Sequence, residues 1–320
     1  MSNRRGWRLD GMNPPAGALA SLNASTAAAF SWHCWARVTR FESIGPERAA
    51  EALEFCAESP TLSMYISGWI VDGGLKSNPV VPRGWILAER DRSQKIIGLC
   101  FLSATGILMP VMAGGVSSLE HLHGLARQNP SLIRVIVGDR ALVAALWERL
   151  GTFGLTARLS RDQMVYALER EDFKNVAEPL ELEMASFRHL DQVVEASAEM
   201  AREEANDDPQ GRNPLLFKER IRARLTRGRD LIHQRSGKLV FKSNVSAVSE
   251  LGGQIEGIYT VRDERRKGFG RRGTAAVTAW VLERGPRATL LVNDDNDSAR
   301  TLYESLGYKP FARSRTIFVG

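Results

Sequence analysis

The sequence predicts an α/β chain made of two halves with the same order of elements. Three observations carry this. Segments with apolar residues three and four apart alternate with short β-branched runs along most of the chain. The order strand, helices, three strands, helix, strand, helix, strand is read in residues 37–170 and again in 180–320, a repeat of architecture and not of sequence. Between them, Glu169 to Pro179 is charged and holds one large apolar side chain, Phe173, which is the composition of a linker.

In the first half, Arg37 to Phe41 reads as a strand, and Pro46 opens a helix over Glu47 to Ala57. Ser59 to Val71 is a second helix, and Pro79, Pro82 and Gly84 mark a loop. Trp85 to Glu89, Ile96 to Phe101 and Gly106 to Met112 are strands, the last ending at Gly114-Gly115. Ser117 with Glu120 has the spacing of a capping box for a helix to Gln128. Leu132 to Val137 is a strand, Arg140 to Leu150 a helix stopped by Gly151, and Met164 to Leu168 a closing strand. Trp32, Trp35, Trp69 and Trp85 read as packing residues.

In the second half, Leu180 to Met184 alternates as a strand, Phe187 to Ala205 is helical, and Asn206 to Pro214 is a polar loop. Leu215 to Arg227 is a helix with Phe217, Ile221 and Leu225 on one side and basic residues opposite. Strands follow at Leu231-Ile232-His233 and Lys238 to Val248, and later at Ala288 to Val292 and Ile317 to Val319, with a helix over Ser298 to Leu306.

The 320 residues, 43% hydrophobic and 25% charged, suffice for a real core. A net charge of +6 suits an anionic ligand without selecting one. Cys34, Cys56 and Cys100 are odd in number and scattered, and the histidines lack metal-ligand spacing, so neither a disulfide framework nor a metal site is expected and the cytoplasm is the expected compartment. Residues 1–36 read as a flexible, alanine-rich tail, and no apolar run reaches membrane-spanning length.

One stretch concentrates the chemistry. The strand Gly257 to Val261 leads into Arg265-Arg266-Lys267-Gly268-Phe269-Gly270, and a helix from Arg271 to Arg284 follows, stopped by Gly285-Pro286. The first amides of a helix lack intrahelical acceptors, and its dipole favours an anion there. Gly268 and Gly270 let the backbone approach a ligand, while Arg265, Arg266, Lys267, Arg271 and Arg272 add positive charge. A pyrophosphate is the expected guest.

The turn matches Arg/Gln-x-x-Gly-x-Gly. With the strand Ile255 to Val261 before it, Leu290 to Asn296 after it, and then Ala299, Leu302, Tyr303, Leu306, Gly307 and Tyr308, it resembles the GNAT superfamily of acetyl-coenzyme A dependent N-acetyltransferases over Leu180 to Gly320. The whole chain, on Val240-Phe241-Lys242 and Gly268 to Val277, also resembles a tandem group in which a degenerate GNAT-like domain precedes the catalytic one. The resemblance implies two GNAT-like domains, at 37–170 and 180–320 with 171–179 as linker, each a mixed, mostly antiparallel sheet flanked by helices.

It further implies acetyl-coenzyme A as co-substrate, a primary amine as acceptor, and no metal. Ile258, Tyr259, Thr260 and Val261 would pair with the pantetheine arm beside Asn293, and Phe269, Gly270 and Arg271 would give amides to the pyrophosphate. Arg265, Arg266, Lys267 and Arg272 would meet phosphate charge. Tyr303 would be the general acid, and Asn296 would contact the coenzyme or a water when it is not simply a helix cap. Gln254 stands where some members carry a catalytic glutamate; Glu256, on the same strand face, is the candidate base. Glu203 and Glu204 are candidates for holding a cationic acceptor. A non-enzymatic coenzyme A sensor is the main alternative. A mycothiol synthase-like acetyltransferase is another, although the aromatic and histidine-bearing signature expected before its motif is missing. The basic helix Lys218 to Arg229 reads as a solvated face, so nucleic acid and membrane are not expected partners; a monomer or homodimer is.

Overall fold

The computed structural model describes residues 41–76, 84–128 and 130–320. The expected tail, the strand start at Arg37, and Trp32, Cys34, Trp35, Pro79 and Pro82 lie outside the described residues.

The first half contributes β1 (Phe41–Ser43), α1 (Ala49–Glu58), α2 (Pro60–Val71), β2 (Gly84–Arg90), β3 (Ile96–Ser103), β4 (Ile107–Met112), α3 (Leu119–Ala126), β5 (Val135–Asp139), α4 (Arg140–Gly151) and β6 (Ala157–Glu169). The second contributes β7 (Glu183–Met184), α5 (Leu190–Ala205), α6 (Pro209–Arg212), α7 (Pro214–Leu225), β8 (Asp230–Arg235), β9 (Lys238–Ser249), β10 (Gly252–Thr260), α8 (Phe269–Leu282), β11 (Arg287–Asn293), α9 (Asp297–Ser305) and β12 (Lys309–Val319). The expected capping box is not formed. Ser117 lies in a 3₁₀ turn and donates its hydroxyl to the Gly114 carbonyl (2.7 Å), while Glu120 pairs with Arg149 across α3 and α4.

The twelve strands among the described residues join one sheet in the order β1-β2-β3-β4-β5-β12-β6-β11-β10-β9-β8-β7. The order is symmetric about its centre, and the halves exchange their last strands. β12 fills the place beside β5, and β6 fills the place beside β11. Pairing is antiparallel except between β4 and β5 and between β10 and β11, where helical crossovers (α3 and α8) return the chain in the same direction. The sheet is therefore mixed and mostly antiparallel, as expected, but continuous across both halves.

β6 and β12 are far longer than the runs expected at Met164 to Leu168 and Ile317 to Val319. Their polar residues satisfy one another across the shared ladder. Arg315 bonds Asp162 through two nitrogens (2.6 and 3.0 Å), and Thr316 donates to Gln163 (2.7 Å). Polar strands can occupy the middle of a sheet when each group finds such a partner.

Helix α2 ties the halves together. Its apolar residues run nearly all round, and it is buried on more than one side. Trp69 meets Phe101 of its own half (centroids 5.1 Å apart). Gly68 lies so close to β9 that a Cβ there would stand 2.5 Å from the Cβ of Ala247. Ser67 and Ser249 share a hydroxyl hydrogen bond (3.0 Å), and Arg229 binds Asp72 just beyond the helix (2.5 Å). The segment after β6 is likewise held to the second half, through Arg170 N–H to Pro286 (2.9 Å) and Lys174 N–H to Leu306 (2.9 Å). No helix among the described residues is long and apolar enough to cross a membrane. Cys56 and Cys100 are free and buried.

Candidate functional site

The site begins where two parallel strands part. β10 and β11 pair over Gly253–Ile255 and Ala288–Leu290, then separate, although β10 continues to Thr260 and β11 to Asn293. A bulge sits at the parting. Glu256 lies opposite Asn244 and Tyr259 opposite Lys242, so Gly257 and Ile258 together face one residue of β9. Gly257 has φ +60°, and a Cβ there would meet the Asn244 amide oxygen at 2.6 Å. Glycine is therefore required both by conformation and by space. The result is a wedge-shaped cleft with a strand edge unpaired on its β10 side.

At the far end of β10 the basic turn starts α8. Gly268 is the N-cap with φ +84°, and open space surrounds its Cβ position. The first α-helical bond runs from Arg272 N–H to the Gly268 carbonyl (3.1 Å), which leaves the amides of Phe269, Gly270 and Arg271 without intrahelical acceptors. The cations divide into two kinds. Arg265 bonds Glu203 (2.6 Å) and the Thr260 carbonyl (3.0 Å) and lies over the Tyr259 ring (5.1 Å). Lys267 pairs with Glu264 (3.0 Å), Arg271 donates to Ser305 (3.2 Å) and Arg272 reaches the Glu178 carbonyl (2.5 Å). Arg266, exposed and at φ +61°, has no partner among the described residues.

The other expected contacts sort in the same way. Ile258 packs on the second half's core, and Tyr259 turns its side chain toward α5, donating to Glu199 (3.1 Å) and Glu203 (3.3 Å). Both leave only backbone toward the cleft. The Val261 amide is taken by the Val240 carbonyl (3.0 Å). Asn293 accepts from Gln163 of β6 (3.1 Å), and Asn296 caps α9 through the Ala299 amide (3.1 Å).

Tyr303 on α9 is 8% exposed, between Tyr308 and Tyr166 (centroids 6.0 and 6.3 Å away). Among the described residues its hydroxyl has no hydrogen-bond partner. Burial, aided by the Glu204 charge, raises it above the ordinary phenol range, so it stays protonated. Glu256 is exposed on the opposite face and accepts from Ser246 (2.8 Å) and Gln254 (2.6 Å). Glu203 is bound by Arg262 and Arg265; desolvation opposes its charge, but those bonds prevail and hold the carboxyl below the usual range. Glu204 keeps accessible surface yet is hemmed in by neighbouring elements. That desolvation raises it, against the pull of Arg161 and Lys242.

Two features of the site escaped sequence reasoning. β6, from the first half, supplies Gln163 to the floor beside Asn293, and nothing local in the sequence signals that long-range pairing. Lys242 of β9 is 3% exposed, donates to the Gly257 carbonyl at the bulge (3.0 Å), and is drawn down to about 7 by burial. Its signal was available: a lysine inside the apolar run Leu239 to Val248.

Residues 244–317 match the family model described as FR47-like protein. No curated protein matches the chain. Several solved structures do. A Drosophila protein shares 13% identity over 88% of this chain and 98% of its own, with a TM-score of 0.64. A GCN5-related N-acetyltransferase from Sphaerobacter thermophilus shares 13% over 87% and 95% (TM-score 0.51). A tandem GNAT protein from the clavulanic acid biosynthesis pathway, solved without acetyl-coenzyme A, shares 14% over 87% and 97% (TM-score 0.51). The chain has the GNAT fold.

Proposed function

We propose that the chain is an N-acetyltransferase that moves an acetyl group from acetyl-coenzyme A to a primary amine in a ternary complex. The observation that carries this is the combination, at one end of β10, of a bulged strand parting, an open helix N-terminus and a buried tyrosine with an unpartnered hydroxyl. In this reading the pantetheine arm lies along residues 257–260 on the side from which β11 has parted, and the pyrophosphate meets the amides of Phe269, Gly270 and Arg271 with Arg266 beside them. The amine nitrogen attacks the thioester carbon, the C–S bond breaks, and Tyr303 gives its proton to the departing sulfur. Glu256 takes the proton lost by the amine, directly or through water. Arg265 and Glu203 act together as a brace between the turn and α5, a role the 2.6 Å bond supports.

The tandem reading belongs to the same proposal. Residues 37–170 form a degenerate GNAT-like domain and 180–320 the catalytic one. The symmetric strand order supports two repeats, and the exchanged strands make them interdependent. Thiol release from acetyl-coenzyme A, measured against a panel of primary amines with coenzyme binding measured separately, tests the function. Saturable coenzyme binding without thiol release on any amine would overturn it in favour of a coenzyme-sensing protein.

A further inference from the structure

The first half has a strand parting of its own. β4 and β5 pair only at Ile107–Leu108 and Val135–Ile136, while β4 runs on to Met112 and β5 to Asp139. The following turn, Ala113-Gly114-Gly115, carries no cation. This parting opens into a groove of about 890 Å³ that crosses β4, β5, β12, β6, β11 and β10 beneath α1 and α2. At the usual strand spacing of about 4.8 Å that is a span of about 24 Å. Gly257 and Leu291, which flank the catalytic cleft, also line the groove, so the two are continuous.

The chemistry of the lining is asymmetric. Most of the wall is apolar, with Leu62, Met109, Val111, Val137 and Val165 among it. Its polar groups are largely satisfied within the protein: Gln163 by Thr316 (2.7 Å), Ser314 by the Gly138 carbonyl (2.9 Å), Arg313 by Asp294 (3.1 Å). Glu58 is paired with Lys95 (2.8 Å), and Asp139 caps α4 through the Leu142 amide (2.9 Å). Glu256, at the end beside the cleft, has only neutral donors among the described residues, Ser246 and Gln254. A carboxylate with no cation partner among the described residues, at one end of a long apolar groove, complements an ammonium with an apolar body behind it.

We propose that this groove is the acceptor site and that it takes a primary amine carried on an elongated apolar body, with the nitrogen at Glu256 and the body running over β6 and β12 into the first half's parting. The inference rests on the acetyltransferase reading and names its substrate class.

The test is a ladder of linear alkylamines from propylamine to dodecylamine, below their micellar concentrations, with spermidine as the hydrophilic comparison. Thiol release by the full chain and calorimetric binding of decylamine are both recorded. KM is expected to fall about fourfold per added methylene, which is the size of burying one methylene. Val137→Glu, in the first half's part of the groove wall, is expected to abolish that gain and decylamine binding; thermal denaturation and calorimetric coenzyme A binding show that the variant is folded. Val137→Ala should give an intermediate loss. Preference for spermidine with no dependence on chain length, or a Val137→Glu enzyme that keeps the ladder, overturns the proposal and leaves the acetyltransferase reading intact. No turnover on any amine, with decylamine binding that Val137→Glu removes, overturns the reaction and keeps the ligand class of the groove.

Discussion

Replacing Tyr303 by Phe separates chemistry from packing, because the hydroxyl it removes has no partner among the described residues while the ring is buried. Deleting an unpaired hydroxyl breaks no hydrogen bond, so stability should stay within about 0.5 kcal/mol of the parent. If that hydroxyl protonates the sulfur, kcat should fall about 10²–10⁴-fold, equivalent to about 3–5.5 kcal/mol of barrier, with coenzyme Kd unchanged. Tyr308→Phe is the control with the opposite signature. Its hydroxyl is hydrogen-bonded to Thr278 (2.8 Å) in a fully buried pair, and removing it strands the Thr278 hydroxyl. That variant should lose about 1–3 kcal/mol of stability and little kcat. Chemical denaturation and single-turnover thiol release measure both quantities. A Tyr303→Phe enzyme that retains kcat within about threefold would refute the acid role. Equal losses of stability in the two variants would refute the assignment of which tyrosine is free.

Arg266→Ala should weaken coenzyme A binding about tenfold, the size of one charge-assisted bond, whereas Arg265→Ala should change it less than about threefold because Arg265 is engaged with Glu203; equal effects by calorimetry would remove the distinction. Lys242 has a folded pKa of about 7 against an ordinary 10.5, so the unfolded chain holds more protons between those values and stability rises with pH through that window. From pH 7 to 8.5 the parent should gain stability relative to Lys242→Met, in which the cysteine contributions are the same and cancel, by up to about 1.4 kcal/mol per pH unit; parallel denaturation curves at both pH values would show that the buried amine is charged. Gly68→Leu, which drives a side chain into Ala247 and the Val248 backbone, should cost about 1–3 kcal/mol and lower the melting temperature of both halves together; a separate, unshifted transition for the second half would mean that α2 does not couple them.

Local features of the chain determined the strand–turn–helix at Gly257 to Leu282 and the helix carrying Tyr303. Glycine at the helix start, cations around it and apolar spacing after it act within a few residues of one another, so the sequence carries them. The same holds for most helices and for β2, β3 and β9. The centre of the molecule is different. Arg158 to Gln163 and Lys309 to Thr316 have the polarity of loops, and only their mutual pairing, Arg315 with Asp162 and Thr316 with Gln163, makes them strands. Cross-strand satisfaction of that kind depends on residues some 150 positions apart, such as the 153 separating Gln163 and Thr316, and no local propensity reports it. Tertiary structure likewise decided which turn cation is left open. Arg265 and Arg266 are adjacent and carry the same charge, and α5 brings Glu203 to one of them. It also set α2 of the first half over β9 of the second, and so placed the groove that leads to Glu256 between the two halves. Short-range conformational preference wrote the glycine-basic turn and its helix into the sequence; the long groove arises where the two halves meet, and contacts between distant segments created it.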